Sequence, residues 1–178
     1  MDEMMGTVPT LIDSMYYKDV RGWFSELYKE EIGDPKLVQW NHSFSKKGVL
    51  RGFHYQEDPH AQGKLVTVLT GCIQDIVFSL DKYSKAFAQP QEFVLHPGNK
   101  LWVPPGYAHG FLALTDNTHV LYGCTKPRIP EAERGILYSD KNVAAPWKIV
   151  QPIVSVKDAC NETLEEMLGR TGKNGIHY

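Results

Sequence analysis

From Val49 onward the chain reads as short apolar runs broken by turn residues. Leu65–Thr70 is apolar and β-branched, and Gly71 ends it; Cys72–Leu80 follows. Glu92–Leu95 is brief, and His96, Pro97, Gly98 and Asn99 form a strong turn signal. Lys100–Val103 runs into a second turn at Pro104, Pro105 and Gly106. His109–Leu114 and His119–Thr125 read as a pair of strands around the loop at Thr115–Thr118. Many short strands with frequent turns predict a sandwich or barrel. Residues 16–40 mix short strand-like pieces with a helical turn around Lys29–Gly33. Helix is expected late, over Asn161–Leu168. There Asn161 would cap, Glu162 and Glu165 would sit at the positive end of the dipole, Leu164 and Leu168 would share a buried face, and Gly169 would stop the helix.

Arg51, His54 and Lys64 interrupt this pattern, because they fall inside strand-like and otherwise largely apolar stretches. A half-buried strand alternates apolar and polar positions. Inward-facing His54 and Lys64 therefore need buried partners or a chemical task.

Composition narrows the choices. The length of 178 residues suits one domain, taken as residues 1–178, and 42% apolar with 22% charged residues is ordinary for a soluble globular chain. A net charge of −2 gives no basic footprint for nucleic acid. No apolar stretch approaches the roughly 20 residues that span a bilayer, and the acidic start lacks a signal-peptide pattern. A cytoplasmic location is expected. Cys72, Cys124 and Cys160 are odd in number and lack metal-site spacing; Cys72 and Cys124 read as buried thiols.

Two segments resemble the paired motifs of the cupin superfamily. Gly98, Pro105 and His109 are similar to the second motif, and His54, Gln56, Lys64 and Gly71 to the first. Metal-binding cupins place two histidines and a glutamate in the first motif. Here Gln56 stands for the second histidine and Lys64 roughly for the glutamate. An ammonium is a poor neighbour for a divalent cation. The resemblance implies a mainly β, cupin-type double-stranded β-helix (jelly-roll) barrel with a short C-terminal helix, and no metal or other cofactor.

Over nearly its full length the chain resembles one family within that superfamily, the dTDP-4-dehydrorhamnose 3,5-epimerases. The matching residues come in order. They are Asp19, Arg21, Gly22, Phe24 and Glu26; Gln39, Asn41 and Ser43; Arg51, Gly52, His54 and Gln56; Gln62, Lys64 and Asp75; Pro105, His109 and Phe111; Leu121 and Tyr122; Pro130, Glu133 and Gly135; and Ser155, Lys157 and Asp158. The resemblance implies epimerisation of a nucleotide-activated 4-keto-6-deoxy sugar through an enolate. That reaction needs a base on one face of the sugar, an acid on the other, and positive charge near the developing oxyanion. It implies His54 as base, with Asp158 behind it or Asp75 as second candidate, Tyr122 as acid, and Lys64 as enolate stabiliser. Arg21, Phe24, Glu26, Gln39, Asn41, Arg51, His109, Glu133 and Lys157 are implied as substrate ligands, with Arg51 and His109 the first choices for the diphosphate. A homodimer is also implied.

Three places depart from the family pattern: Trp40 replaces an aspartate, Ser79, Leu80 and Asp81 replace an Asp-x-Arg run, and Pro127 and Arg128 replace an aromatic pair. These bear on which sugar nucleotide is used and on whether C3, C5 or both are inverted. Three other readings compete: a 3- or 5-mono-epimerase of another nucleotide sugar, a non-catalytic sugar-binding cupin, and a metal-dependent cupin.

Overall fold

The computed structural model describes residues 5–31 and 34–174, with side chains through Arg170. In chain order its strands are β1 (Thr10–Asp13), β2 (Tyr17–Asp19), β3 (Gly22–Phe24), β4 (Gln39–Ser45), β5 (Leu50–Gln56), β6 (Lys64–Thr70), β7 (Ile73–Ser79), β8 (Gln91–Leu95), β9 (Asn99–Val103), β10 (Tyr107–Ala113), β11 (Thr118–Cys124) and β12 (Glu133–Gly135). A 3₁₀ turn at Pro130–Ala132 precedes β12, and the helices are α1 (Val156–Ala159) and α2 (Leu164–Asn174).

One sheet runs β1-β9-β6-β11-β4 and the other β12-β5-β10-β7-β8, while β2 and β3 form a separate hairpin. From β4 to β7 and again from β9 to β12 the chain switches sheets at every step, which is the jelly-roll connectivity expected. It also corrects the local reading of 109–125. The two runs are strands, but β10 pairs with β5 and β7, and β11 with β4 and β6.

Apolar side chains fill three layers. Between the sheets lie Val66, Val68, Ile73, Val77, Leu95, Leu101, Val103, Phe111 and Val120. Outside the second sheet, Phe53, Tyr55, Ile76, Phe78 and Ile136 pack under Leu164 and Met167 of α2. Outside the first, Trp102 and Leu65 pack against Met5. β7 is buried at every position because it is covered on both faces.

The late helix differs from expectation. Asn161 does not cap it. Thr163 and Glu166 form a reciprocal pair, the Thr163 N–H donating to Glu166 Oε2 at 2.7 Å and the Glu166 N–H to Thr163 Oγ1 at 3.2 Å, and the helix begins after Thr163. Gly169 does not stop it, since tertiary contacts outweigh the weak glycine penalty: Arg170 beyond it pairs with Glu57 and Glu162. Leu164 and Met167 make the buried face, whereas Leu168 is 36% exposed. Residues 29–31 are not helical, and the rest of the turn expected there, residues 32–33, lies outside the described residues. Cys124 is buried as expected, but Cys72 sits half-exposed at the bend between β6 and β7.

Candidate active site

His54 faces inward from β5, opposite His109 of β10. Two glycines let the strands approach this closely. Gly52 has φ +120°, and a Cβ there would fall 2.6 Å from Gly110 Cα; a Cβ on Gly110 would fall 2.8 Å from Arg51 O. Behind His54 stands Asp158, 104 residues later, whose Oδ1 lies 2.7 Å from His54 Nε2. Its position is built locally. Ile153 bridges Val49, and the Leu50 N–H donates to Ile153 O at 2.9 Å, so the segment before α1 runs beside the start of β5. Ser155 then caps α1 by accepting from the Asp158 N–H at 3.0 Å. Burial alone would raise the Asp158 carboxyl. The hydrogen bond and charge of His54, the Gly52 N–H and Lys157 more than offset it and hold it below its usual range. An ionised Asp158 needs a donor, so Nε2 carries the hydrogen and Nδ1 is left as the basic nitrogen.

The other sheet contributes the facing groups. Lys64 opens β6 and Tyr122 lies near the end of β11, where it pairs with Asn41 and Val66. Lys64 is buried, and desolvation lowers its pKa despite the nearby Cys124, Asp75 and Glu133. Burial chiefly raises the Tyr122 phenol, and Arg51 and Arg128 pull it only partly back, so it holds its proton at neutral pH. His54, Lys64, Tyr122, Asn41, Gln56, Gln62, Arg128 and Glu133 all line one pocket with a free volume of about 70 Å³. It is neither the largest nor the most apolar cavity, but the reactive side chains converge on it.

Asp75 does not stand behind His54. It lies fully buried on β7 with Oδ1 3.5 Å from His109 Nδ1, too poorly aligned for a hydrogen bond. Burial pushes Asp75 well up, with Lys64 pulling part of the way back. Burial and the charges of Lys64 and His54 push His109 well down. His109 is therefore a neutral imidazole in the barrel interior, a poor match to the cationic diphosphate ligand expected of it. Arg51 does not line the pocket; it donates to Ser45 Oγ at 3.1 Å and Phe44 O at 2.9 Å, near enough to Tyr122 for its charge to act on the phenol.

Gln56 is spent on structure. Its amide holds His60 O at 2.8 Å, and its oxygen accepts from the Ile129 N–H at 2.7 Å. It braces the loop after β11 where a metal-binding cupin would carry a ligand. Among the described residues no three His, Cys, Asp or Glu side chains converge as a metal-ligand set.

Gln39 and Asn41 are joined at 2.8 Å at the start of β4. Lys157 and Glu133 meet at 2.6 Å at the pocket's rim. Arg21 and Phe24 lie on the exposed β2–β3 hairpin, and Glu26 lines a separate cavity with Lys100. None of these three lines the His54 pocket. Of the departures, Trp40 packs near Tyr28 on the outer face, and Asp81 accepts from the Tyr83 N–H in a turn. Arg128 alone among them lines the pocket.

Known proteins share this arrangement of chain. The family model for dTDP-4-dehydrorhamnose 3,5-epimerase matches residues 8–166. The dTDP-4-dehydrorhamnose 3,5-epimerase of Shigella flexneri is 38% identical over 156 residues, covering 83% of this chain and 86% of that one. The crystal structure of dTDP-6-deoxy-D-glucose-3,5-epimerase from Legionella pneumophila, in complex with dTDP-4-keto-L-rhamnose, superposes with a TM-score of 0.84 at 36% identity, covering 88% of each chain. That of the Bacillus anthracis dTDP-4-dehydrorhamnose 3,5-epimerase, with TDP and PPi bound, gives 0.84 at 34% identity, covering 87% of this chain and 93% of that one. With likeness of this extent in both sequence and fold, the chain belongs to the dTDP-4-dehydrorhamnose 3,5-epimerase family.

Proposed function

We propose that the protein epimerises dTDP-4-keto-6-deoxyglucose at C3 and C5, giving dTDP-4-keto-rhamnose, without redox chemistry. The observation that carries this reading is the placement of His54 and Tyr122 on opposite sheets while both line one pocket with Lys64. A ring between the sheets would meet a base on one face and an acid on the other. His54 Nδ1 takes a hydrogen α to the ketone, and Asp158 stabilises the imidazolium that results. Electron density moves to the ketone oxygen, where the Lys64 ammonium balances it in a desolvated site. Tyr122 returns a proton to the opposite face, inverting the centre. His109 and Asp75 flank Lys64 and are assigned to positioning it. Gln39, Asn41, Glu133 and Lys157 supply polar contacts to the ligand.

Arg21, Phe24 and Glu26 are read as ligands of a second copy's pocket. The hairpin that carries the first two leaves Val20, Trp23 and Phe24 largely exposed, as a segment that docks on a partner would. A homodimer follows from this reading, as does a cytoplasmic location beside other nucleotide-sugar chemistry. No described helix is long and apolar enough to cross a membrane.

Incubating the keto sugar nucleotide in deuterated water tests the proposal. Deuterium at both C3 and C5, lost in His54→Asn, is expected. Uptake at one carbon would make it a mono-epimerase, and a bound sugar with no exchange would make it a binding protein.

A further inference from the structure

β4 alternates strictly. Gln39, Asn41 and Ser43 are half-buried, and Trp40, His42 and Phe44 are exposed. Asn41 lines the pocket, so His42 stands on the outer face of the first sheet, on the far side from His54. The neighbouring strand β11 places His119 on the same face. His42 is opposite Leu121 and His119 is opposite Phe44, so the two histidines are diagonal neighbours, a spacing that ring side chains span. His42 Nε2 and His119 Nδ1 lie 2.9 Å apart, with ring centroids at 5.1 Å and planes inclined by 25°. Phe44 packs beside His119, its centroid 5.1 Å away. On its other edge β11 shifts register against β6 between His119 and Val120. Irregularities of this kind re-aim a side chain. The reaction proposed above uses neither imidazole.

One nitrogen of this pair donates and the other accepts. The same spacing suits a metal ion. Two imidazole nitrogens, each about 2.0–2.1 Å from an ion and meeting at a right angle, lie about 2.9 Å apart; at the tetrahedral angle they lie about 3.3 Å apart. Right angles belong to the tetragonal geometry that Ni²⁺ and Cu²⁺ favour.

We propose that His42 and His119 form a two-histidine site for a divalent transition-metal ion of tetragonal preference, Ni²⁺ or Cu²⁺, on the outer face of the first sheet. The ion takes the place of the shared proton. That proton moves to the far nitrogen of its own ring, so both imidazoles stay neutral and each gives one lone pair. A small rotation of the rings aims both lone pairs at the ion. Water holds the remaining positions, so the ion is exchangeable and plays no part in the chemistry between the sheets. Chelation ties the edge strand β4 to β11, and binding to the folded chain alone raises its stability.

Calorimetric titration of the full chain with Ni²⁺, followed in parallel by ring-proton NMR, tests this. Ni²⁺ is the probe because it does not oxidise the exposed Cys160 thiol. A single equivalent is expected to bind, to broaden the His42 and His119 ring signals first, and to raise the melting temperature. His42→Gln and His119→Gln are each expected to weaken Ni²⁺ binding by about tenfold or more, and to leave the metal-free melting temperature unchanged. Zn²⁺ is expected to bind more weakly than Ni²⁺. If both single variants bind Ni²⁺ as the parent does, or if His54→Asn or Cys160→Ser abolishes the binding instead, the ion sits elsewhere and the proposal is overturned. Zn²⁺ binding tighter than Ni²⁺ would overturn the right-angle geometry on which it stands.

Discussion

The same strands line the barrel interior at two ends, and the ends are built on opposite rules. At one end β6 contributes Val68, β7 Ile73, β10 Phe111 and β11 Val120, all nearly dry and packed on one another. A few residues along, β6 contributes Lys64, β10 His109, β11 Tyr122 and β5 His54, with Asp75 between. The first end lowers free energy by removing apolar surface from water. The second raises it. Lys64 is desolvated, and Asp75 and His109 Nδ1 are buried with no hydrogen-bond partner among the described residues. Buried polar atoms are normally satisfied. A strand that alternated only for stability would carry valines there too. The difference shows where stability was given up for a reactive site, and how the apolar end makes that tolerable.

Substitutions at the two ends should separate activity from stability. The largest effect belongs to the base and its carboxylate. His54→Asn and Asp158→Asn should each cut deuterium exchange by about 10³-fold or more, the range seen when a positioned general base or its orienting group is lost. Melting temperatures should move little for His54→Asn. For Asp158→Asn, the stability that the ionised carboxyl adds is present above the unfolded carboxylate pKa and disappears as pH falls through its lowered folded value. The variant and parent melting curves should therefore converge on acidification. An unchanged exchange rate in either variant would remove the base from His54.

Next comes the apolar end. Ile73→Ala, at a fully buried position of that end, should cost about 2–5 kcal/mol in denaturant unfolding. Exchange per folded molecule should persist, because His54, Lys64 and Tyr122 lie further along the strands, beyond that residue's register partners Leu95 and Ala113. A loss of activity without loss of stability would break the division between the ends.

The smallest effect has the opposite sign. Lys64→Met should stabilise the fold by about 1 kcal/mol at neutral pH, since replacing a buried charge by an apolar group of similar length is often favourable. It should also reduce exchange sharply. The folded pKa of Lys64 is lowered, so over the interval up to its unfolded value the native chain binds fewer protons than the unfolded one. The parent gains stability as pH rises there, and the advantage of Lys64→Met should shrink. An advantage that grows with pH would mean that Lys64 is favourably paired.

Much of the fold was legible because strand pattern and turn residues are local properties. Gly71, the Pro97–Asn99 turn and Pro104–Gly106 end runs that do become strands. Local signals leave the start of the late helix open because Asn161 and Thr163 are both good caps, and the choice falls to Glu166, which completes a box with Thr163 alone. Its length is not set locally, because Arg170 is held by Glu57, more than a hundred residues away, and no local rule contains that contact. Pairing at 109–125 is not local either: both runs are strands, but adjacency in sequence does not say that a jelly roll sends neighbouring strands to different sheets.

For the site, the sequence by itself determined which residue types were available and, through their order and spacing, the family whose pattern they follow. It marked His54 and Lys64 as polar residues in apolar strands. The tertiary structure decided which of them meet. It chose Asp158 over Asp75 as the partner of His54, because the Ile153 bridge carries α1 to β5 while β7 turns Asp75 toward His109. It spent Gln56 on a loop, and it brought Arg128 to the rim. Hydrogen bonds and ion pairs act over a few ångströms, whereas residues they join here lie more than a hundred positions apart. Proximity of that kind is set by sheet order and strand register, and these exist only once the chain has folded.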